Sequence, residues 1–273
     1  MTTLTPTGVL RIGDSDLEYR MTGPAPDVAP TLVLLHEGLG SAALWGDVPE
    51  RLAAATGAGV FAYSRAGYGA SSPVPLPRPL DYMQREAREV LPRILDAIGF
   101  RRGLLVGHSD GASIAAIYGG SVQDHRVGGI ALMAPHFVVE DISVASIAKI
   151  KVDYETTELR AKLARWHRDV DNAFYGWNGA WLDPAFRAWD ISDALAYIRV
   201  PIAIIQGADD HYGTLRQIEI ARAECYCPVE VEIIPAVGHA PHREAPDVTL
   251  RVLADFTNRI LHMHGESRIE QAI

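Results

Sequence analysis

The sequence predicts an α/β fold, a mostly parallel sheet of eight strands covered by helices on both faces. Three observations predict it. Short apolar runs alternate with longer amphipathic ones along most of the chain. Several of the short runs, TLVLL, GLLVG and PIAIIQG among them, carry almost no polar residue, as strands buried on both faces must. At 273 residues, 48% hydrophobic and 22% charged, the chain can also bury a large core in one main domain.

The elements follow in order. VLRI and LEYRMTG read as an opening hairpin, and TLVLLHEG as the first fully buried strand. Residues 44–56 read as a helix, GVFAYSR as a strand and RAGYGASSP as a glycine-rich connection. Residues 81–98 have apolar positions at helical spacing, with Gly99 as the stop. Pro92 is expected to kink that helix, because its ring removes an N–H and crowds the preceding turn. GLLVG, GGIALMAP, VPIAIIQG and VEVEIIPAV complete the strands, with helices over residues 110–119, 213–224 and 246–262. The interval 141–199 breaks the rhythm, with helix-like SIAKIKVDY and ELRAKLARWH followed by the aromatic-rich AFYGWNGAWLDPAFRAW. A structureless loop of that length does not suit a compact domain, so the interval reads as a helical insertion. The expected division is a core of residues 1–141 and 200–273 with a helical lid over 142–199.

Composition excludes several functions. A formal charge of −9 without a basic cluster argues against nucleic-acid or anionic-membrane partners. No run approaches the roughly 18 apolar residues of a spanning helix, and MTTLTPTGVL lacks the pattern of a secretory leader, so a cytoplasmic location is expected. Cys225 and Cys227 lie too close to staple a fold and have no second pair for zinc, so they read as reduced packing residues. His262 and His264 could only make a weak metal pair, and no metal or organic cofactor is expected. A homodimer is left open.

The chemistry centres on LLVGHSDGASIA. Ser109, with Gly107 two residues before it and Gly111 two after, stands where a strand turns into a helix. A serine on such a bend takes a positive-φ conformation that small neighbours must accommodate. Its hydroxyl is then exposed beside a helix N-terminus, which stabilises negative charge. A serine needs a base, and the base needs a carboxylate to orient it. PIAIIQGADDHYG supplies Asp209 and Asp210 past one later strand, and VEVEIIPAVGHAPH supplies His239 past the next.

The order serine, acid, histidine, each after a parallel strand, resembles the α/β-hydrolase superfamily over essentially the whole chain. The resemblance implies an α/β-hydrolase fold and a serine hydrolase with Ser109 as nucleophile, His239 as base and Asp210 as orienting acid. Asp210 is preferred to Asp209 because the acid in such families usually sits three residues after a glycine like Gly207; Asp209 then reads as a helix-start residue. An oxyanion hole needs two N–H groups. The resemblance assigns them to the backbones of Asp110 and Gly38, with Leu39 as the alternative to Gly38. Glu37 stands where these families usually have glycine. Arg65, in SRAGYGAS, reads as a structural brace.

Asp110 raises an electrostatic question, since two unit charges about 6 Å apart repel by roughly 3 kcal/mol at an effective dielectric near 20. Either Asp110 is compensated internally, capping its own helix and pairing with a nearby arginine or histidine, or Asp110 and Glu37 receive the ammonium of a cationic substrate. His136, beyond GIALMAP, and Trp181 are further candidate substrate contacts. An apolar pocket is expected from the lid aromatics Trp166, Phe174, Tyr175, Trp177, Trp181 and Trp189. The function expected is cleavage of an ester-type bond (carboxylic ester, thioester or amide) in a small-molecule substrate through an acyl-enzyme. The alternatives are C–C bond hydrolysis of a diketone ring-fission product, perhydrolase or acyltransferase chemistry, and a noncatalytic ligand-binding receptor.

Overall fold

The computed structural model describes residues 4–270, with side chains described as far as Leu261, so His262 and His264 lie outside the described side chains. Eight strands form a single sheet: β1 (Thr7–Ile12), β2 (Ser15–Thr22), β3 (Thr31–Leu35), β4 (Gly59–Tyr63), β5 (Gly103–His108), β6 (Val127–Met133), β7 (Ile202–Gly207) and β8 (Val229–Ile234). Their spatial order is β1-β2-β4-β3-β5-β6-β7-β8. β1 and β2 pair as the antiparallel opening hairpin and β2 is antiparallel to β4, while every later pairing is parallel.

Strand alternation splits the core into two layers. Leu32, Leu34, Leu104, Val106, Met133 and Ile205 face one side, with the helices α1 (Val48–Thr56) and, from the chain end, Pro246–Glu270. Val33, Leu35, Leu105, Leu132 and Ile204 face the other. Both sets are almost wholly buried, and each such side chain contributes about 1.5–3 kcal/mol of transfer free energy. That is why the central strands read as unbroken apolar runs.

On the second face the run 81–98 is one helical path in three pieces: α2 (Tyr82–Arg85), a π turn (Glu86–Val90) and α3 (Leu91–Ala97). Pro92 falls in the first turn of α3. The wide turn ahead of it accommodates the ring and missing N–H, so the expected kink takes the form of a π turn. α4 (Asp110–Ser121) follows β5 directly and is buried over most of its length.

Between β6 and β7 the chain forms α5 (Asp141–Thr156), α6 (Leu159–Leu163), α7 (Val170–Leu182), a 3₁₀ turn (Pro184–Ala188) and α8 (Ser192–Leu195). Beyond these helices the segment makes only an isolated bridge, Val138 to Asp190. The remaining helices are α9 (Arg216–Glu224), α10 (Pro241–Glu244) and α11 (Pro246–Glu270). Among the described residues no helix is long and apolar enough to cross a membrane.

Candidate active site

The parallel strands end along one edge of the sheet, where their following loops meet, as expected for a ligand site in an open α/β sheet. The turn after β5 holds Ser109 at φ 53° and ψ −118°, a strained conformation for a side-chain-bearing residue. Its neighbours must be glycine. A Cβ on Gly107 would lie 2.3 Å from the Gly111 carbonyl oxygen, and one on Gly111 would lie 2.0 Å from that of Leu35. Strand and helix therefore touch backbone to backbone, which lifts the hydroxyl above the sheet edge.

Two later loops converge on it. His239, after β8, has Nε2 2.9 Å from Ser109 Oγ and Nδ1 2.8 Å from Asp210 Oδ2. With Nδ1–H donating to the carboxylate, Nε2 is free to accept the serine proton. Asp210 is fixed in turn: Oδ1 accepts from the amides of Tyr212 at 2.7 Å and Gly213 at 3.3 Å, and Oδ2 from Gln206 Nε2 at 2.7 Å. Burial pushes the Asp210 carboxyl up, but the hydrogen bond and charge of His239 and the Tyr212 amide outweigh it and hold the group below its ordinary value. Burial also lowers His239, more than the Asp210 partnership raises it, so the imidazole is neutral near pH 7. Asp209 is exposed, its amide bonded to Val237.

The loop after β3 lies opposite. Among the described residues the amides of Gly38 and Asp110 find no hydrogen-bond acceptor in the protein, and both residues line the same cavity as Ser109. The loop is braced from below. Arg65, almost wholly buried, donates from Nη1 to the His36 carbonyl and from Nη2 to the Glu37 carbonyl at 3.1 Å. The Glu37 carbonyl also accepts from the Gly40 amide at 3.1 Å and faces His36 Nδ1 at 2.7 Å. Arg65 thus occupies the structural position expected of it.

That site chemistry sits in a chain whose residues 32–252 match the profile of the Alpha/beta hydrolase family. The chain belongs to this family. Solved structures of similar fold include a proline iminopeptidase of Mycobacterium smegmatis (TM-score 0.73, 19% identity, 93% of this chain and 98% of that one). Others are the enol-lactonase of Burkholderia xenovorans LB400 (0.70, 19%, 91% and 99%) and the naproxen esterase, carboxylesterase NP, of Bacillus subtilis (0.69, 18%, 92% and 90%). At these identities the likeness is one of fold. A search of curated proteins found no match.

The cavity of this alpha/beta hydrolase encloses about 300 Å³. Trp177 and Trp181 of α7 and Ile147 and Ile150 of α5 form its apolar wall, with His136, His211, Tyr212 and Arg243 around the rest. Of the six aromatics expected here, only Trp177 and Trp181 line it. Trp166 and Tyr175 are exposed, Phe174 packs with Tyr154 and Val170 in a separate cluster, and Trp189 packs against Phe186. A larger hollow of about 470 Å³ lies around Val127 and Pro201, at the opposite ends of β6 and β7, remote from Ser109.

Each carboxylate near the cavity already has partners. Asp110 is fully buried, its Oδ2 accepting from the Tyr82 hydroxyl and its Oδ1 from Trp181 Nε1 at 3.2 Å. Burial raises its pKa, opposed by the charge of Arg65 and by these two hydrogen bonds. Of the two roles open for Asp110, this is the geometry of internal compensation, but the direct partners are Tyr82 and Trp181 rather than an arginine or histidine, with Arg65 acting only through its charge. Glu37 meets Arg243 Nη2 at 3.0 Å and His108 Nδ1 at 3.4 Å. Glu244 accepts from the amides of Gly238 at 2.7 Å and Ala240 at 3.0 Å. His136 is buried and its ring lies 5.6 Å from that of His239; burial and the neighbouring His239 lower its pKa to about 3, so it is neutral. Tyr82, Gln206 and Arg243 escaped the sequence reading; only Gln206, beside Gly207 at the end of β7, carried a positional signal.

Proposed function

We propose that this hydrolase cleaves an ester-type bond of a small, uncharged acyl compound through an acyl-enzyme. Ser109 attacks the carbonyl as His239 takes its proton, and Asp210 fixes the imidazole tautomer and stabilises the imidazolium that forms. The amides of Gly38 and Asp110 receive the developing oxyanion. His239 then protonates the leaving group and activates water for deacylation. The chemistry calls for no cofactor.

The observation that carries this reading is the unbroken chain from Ser109 Oγ through His239 to Asp210, at 2.9 and 2.8 Å. A noncatalytic receptor has no need of such a chain, nor of a strained serine at φ 53°. Residues 142–199 act as the lid over a core of residues 1–141 and 200–273, since Ile147, Ile150, Trp177 and Trp181 wall the cavity from above Ser109. A substrate without an ammonium is supported by the engaged carboxylates of Asp110, Glu37 and Glu244, whose oxygens all face partners within the protein. Trp181 contributes its ring to the wall, because its N–H is committed to Asp110 and Tyr82; His136 flanks it with ring centroids 5.1 Å apart.

The test is a panel of p-nitrophenyl esters of graded acyl length beside thioesters, anilides and a ring-fission diketone, with Ser109→Ala as blank. A neutral ester-type compound with the highest kcat/KM supports the reading. Turnover confined to the diketone replaces it with C–C bond hydrolysis.

A further inference from the structure

His108 precedes the nucleophile and is buried at the edge of the cavity, in a contact that the chemistry above does not use. Its Nε2 lies 2.7 Å from the main-chain carbonyl oxygen of His239. Its Nδ1 is buried without an aligned hydrogen bond, and what it faces is the Glu37 carboxylate, with Oε2 at 3.4 Å. Both ring nitrogens thus look at acceptors, a carbonyl and a carboxylate. A neutral imidazole carries one N–H and one lone pair. Whichever nitrogen kept the lone pair would point it at an oxygen. Only the imidazolium turns an N–H toward each oxygen, and Glu37 supplies the compensating charge.

Glu37 is shaped for this. A Cβ on Gly40 would stand 2.4 Å from Glu37 Oε2, so a glycine there leaves the carboxylate room to curl back toward His108. Its other oxygen meets Arg243 of α10 at 3.0 Å, and its main-chain carbonyl is held by Arg65. Burial pushes the Glu37 carboxyl up, but the His108 ring and the charge of Arg243 beside it bring it well below its ordinary value.

We propose that Glu37 and His108 form a buried ion pair that positions His239, the imidazolium gripping the His239 main chain while the carboxylate ties the Gly38 loop to the same point. A single contact thereby couples the loop bearing the oxyanion amide, the serine turn and the loop bearing the base. It also gives Glu37, the departure from the glycine usual in the family, a task. The inference rests on His239 acting as the base for Ser109.

The pair has an electrostatic consequence. The His108 ring lies 5.2 Å from that of His239, and its charge lowers the proton affinity of the base. The other ionisable groups facing this cluster are Asp210, His136, His211, Tyr212, His242 and Arg243; His136 and His242 are held neutral by burial, each lowered to about 3.

The test uses the intact protein and the pH dependence of the rate at which a fluorophosphonate labels Ser109, which needs no knowledge of the substrate. In wild type, labelling at Ser109 with an acid limb below pH 6.5 establishes the base reading independently. Glu37→Gln removes the charge that keeps His108 protonated, and His108→Asn keeps a donor for the His239 carbonyl without the charge. Both shift the acid limb upward, by about half a pH unit or more. His108→Asn keeps a plateau rate within about threefold of wild type, whereas His108→Ala, which has no donor, drops it by roughly tenfold or more. Unmoved limbs in Glu37→Gln and His108→Asn overturn the ion pair. An unchanged plateau in a folded His108→Ala overturns the positioning role, and a lost plateau in His108→Asn overturns it equally.

Discussion

Gly38→Ala probes the loop proposed to bear an oxyanion amide with one methyl group. Gly38 is not among the residues at positive φ, so its backbone accepts alanine without strain. The obstacle is α7. A Cβ at Gly38 would lie 2.1 Å from Trp177 Nε1, while ordinary contact begins at 3.4 Å, so loop or indole must yield by 3.4 − 2.1 = 1.3 Å. A misplacement of about 1 Å in a reacting geometry costs on the order of 10²-fold in rate. Loss of one oxyanion donor costs about 10²- to 10³-fold in kcat. The expected result is a fall in kcat/KM of about 10²-fold on the best neutral p-nitrophenyl ester, with KM changed by no more than a few fold. In a double-mutant cycle, Trp177→Ala opens the space and returns at least about tenfold, a coupling near 1.4 kcal/mol. A Gly38→Ala enzyme within threefold of wild type, or a cycle without coupling, refutes the reasoning.

Three further outcomes follow from the same geometry. Asp210→Asn lowers kcat by about 10⁴-fold with little change in KM, since the imidazole loses the partner that fixes its tautomer; a loss under tenfold contradicts the role of Asp210. Stability falls as pH drops below about 6.5, because the unfolded chain binds protons at histidines that the native fold holds neutral down to about 3, His136 and His242. Thermal unfolding between pH 7 and 4.5 measures this, and His242→Phe is expected to flatten the slope; an unchanged slope removes His242 from the explanation. An amino-acid ester is turned over at least about tenfold less efficiently than its neutral isostere, because no carboxylate oxygen at the cavity is free for the ammonium. Equal kcat/KM values rule out the uncharged-substrate reading.

The sheet was legible because strand residues such as Leu104, Leu105 and Val106 are buried on both faces, so the sequence shows the continuous apolar runs that parallel strands require. The serine turn was legible because the steric demands on Gly107 and Gly111 leave a local pattern. Asp210 and His239 follow strand ends, which made them locatable although 29 residues separate them. The partners of Asp110 left no such trace. Trp181 lies 71 residues away on α7 and Tyr82 lies 28 residues away on α2, and both are apolar helix residues in pattern. The same holds for the π turn before Pro92, where proline announces a disturbance without saying how the helix absorbs it. Glu37 and His108 were visible as residues, but their meeting depends on the β3 and β5 ends lying side by side in register, Leu35 beside Gly107.

The central claim is that Ser109, His239 and Asp210 work as one unit. Its most direct test is mass spectrometry of the protein after a fluorophosphonate probe at neutral pH, read together with His239→Ala and Asp210→Ala. The account predicts one probe per chain, on Ser109, none in Ser109→Ala, and labelling slowed by orders of magnitude in both other variants. Wild-type protein left unmodified, or labelled at Ser109 equally fast without His239, contradicts it.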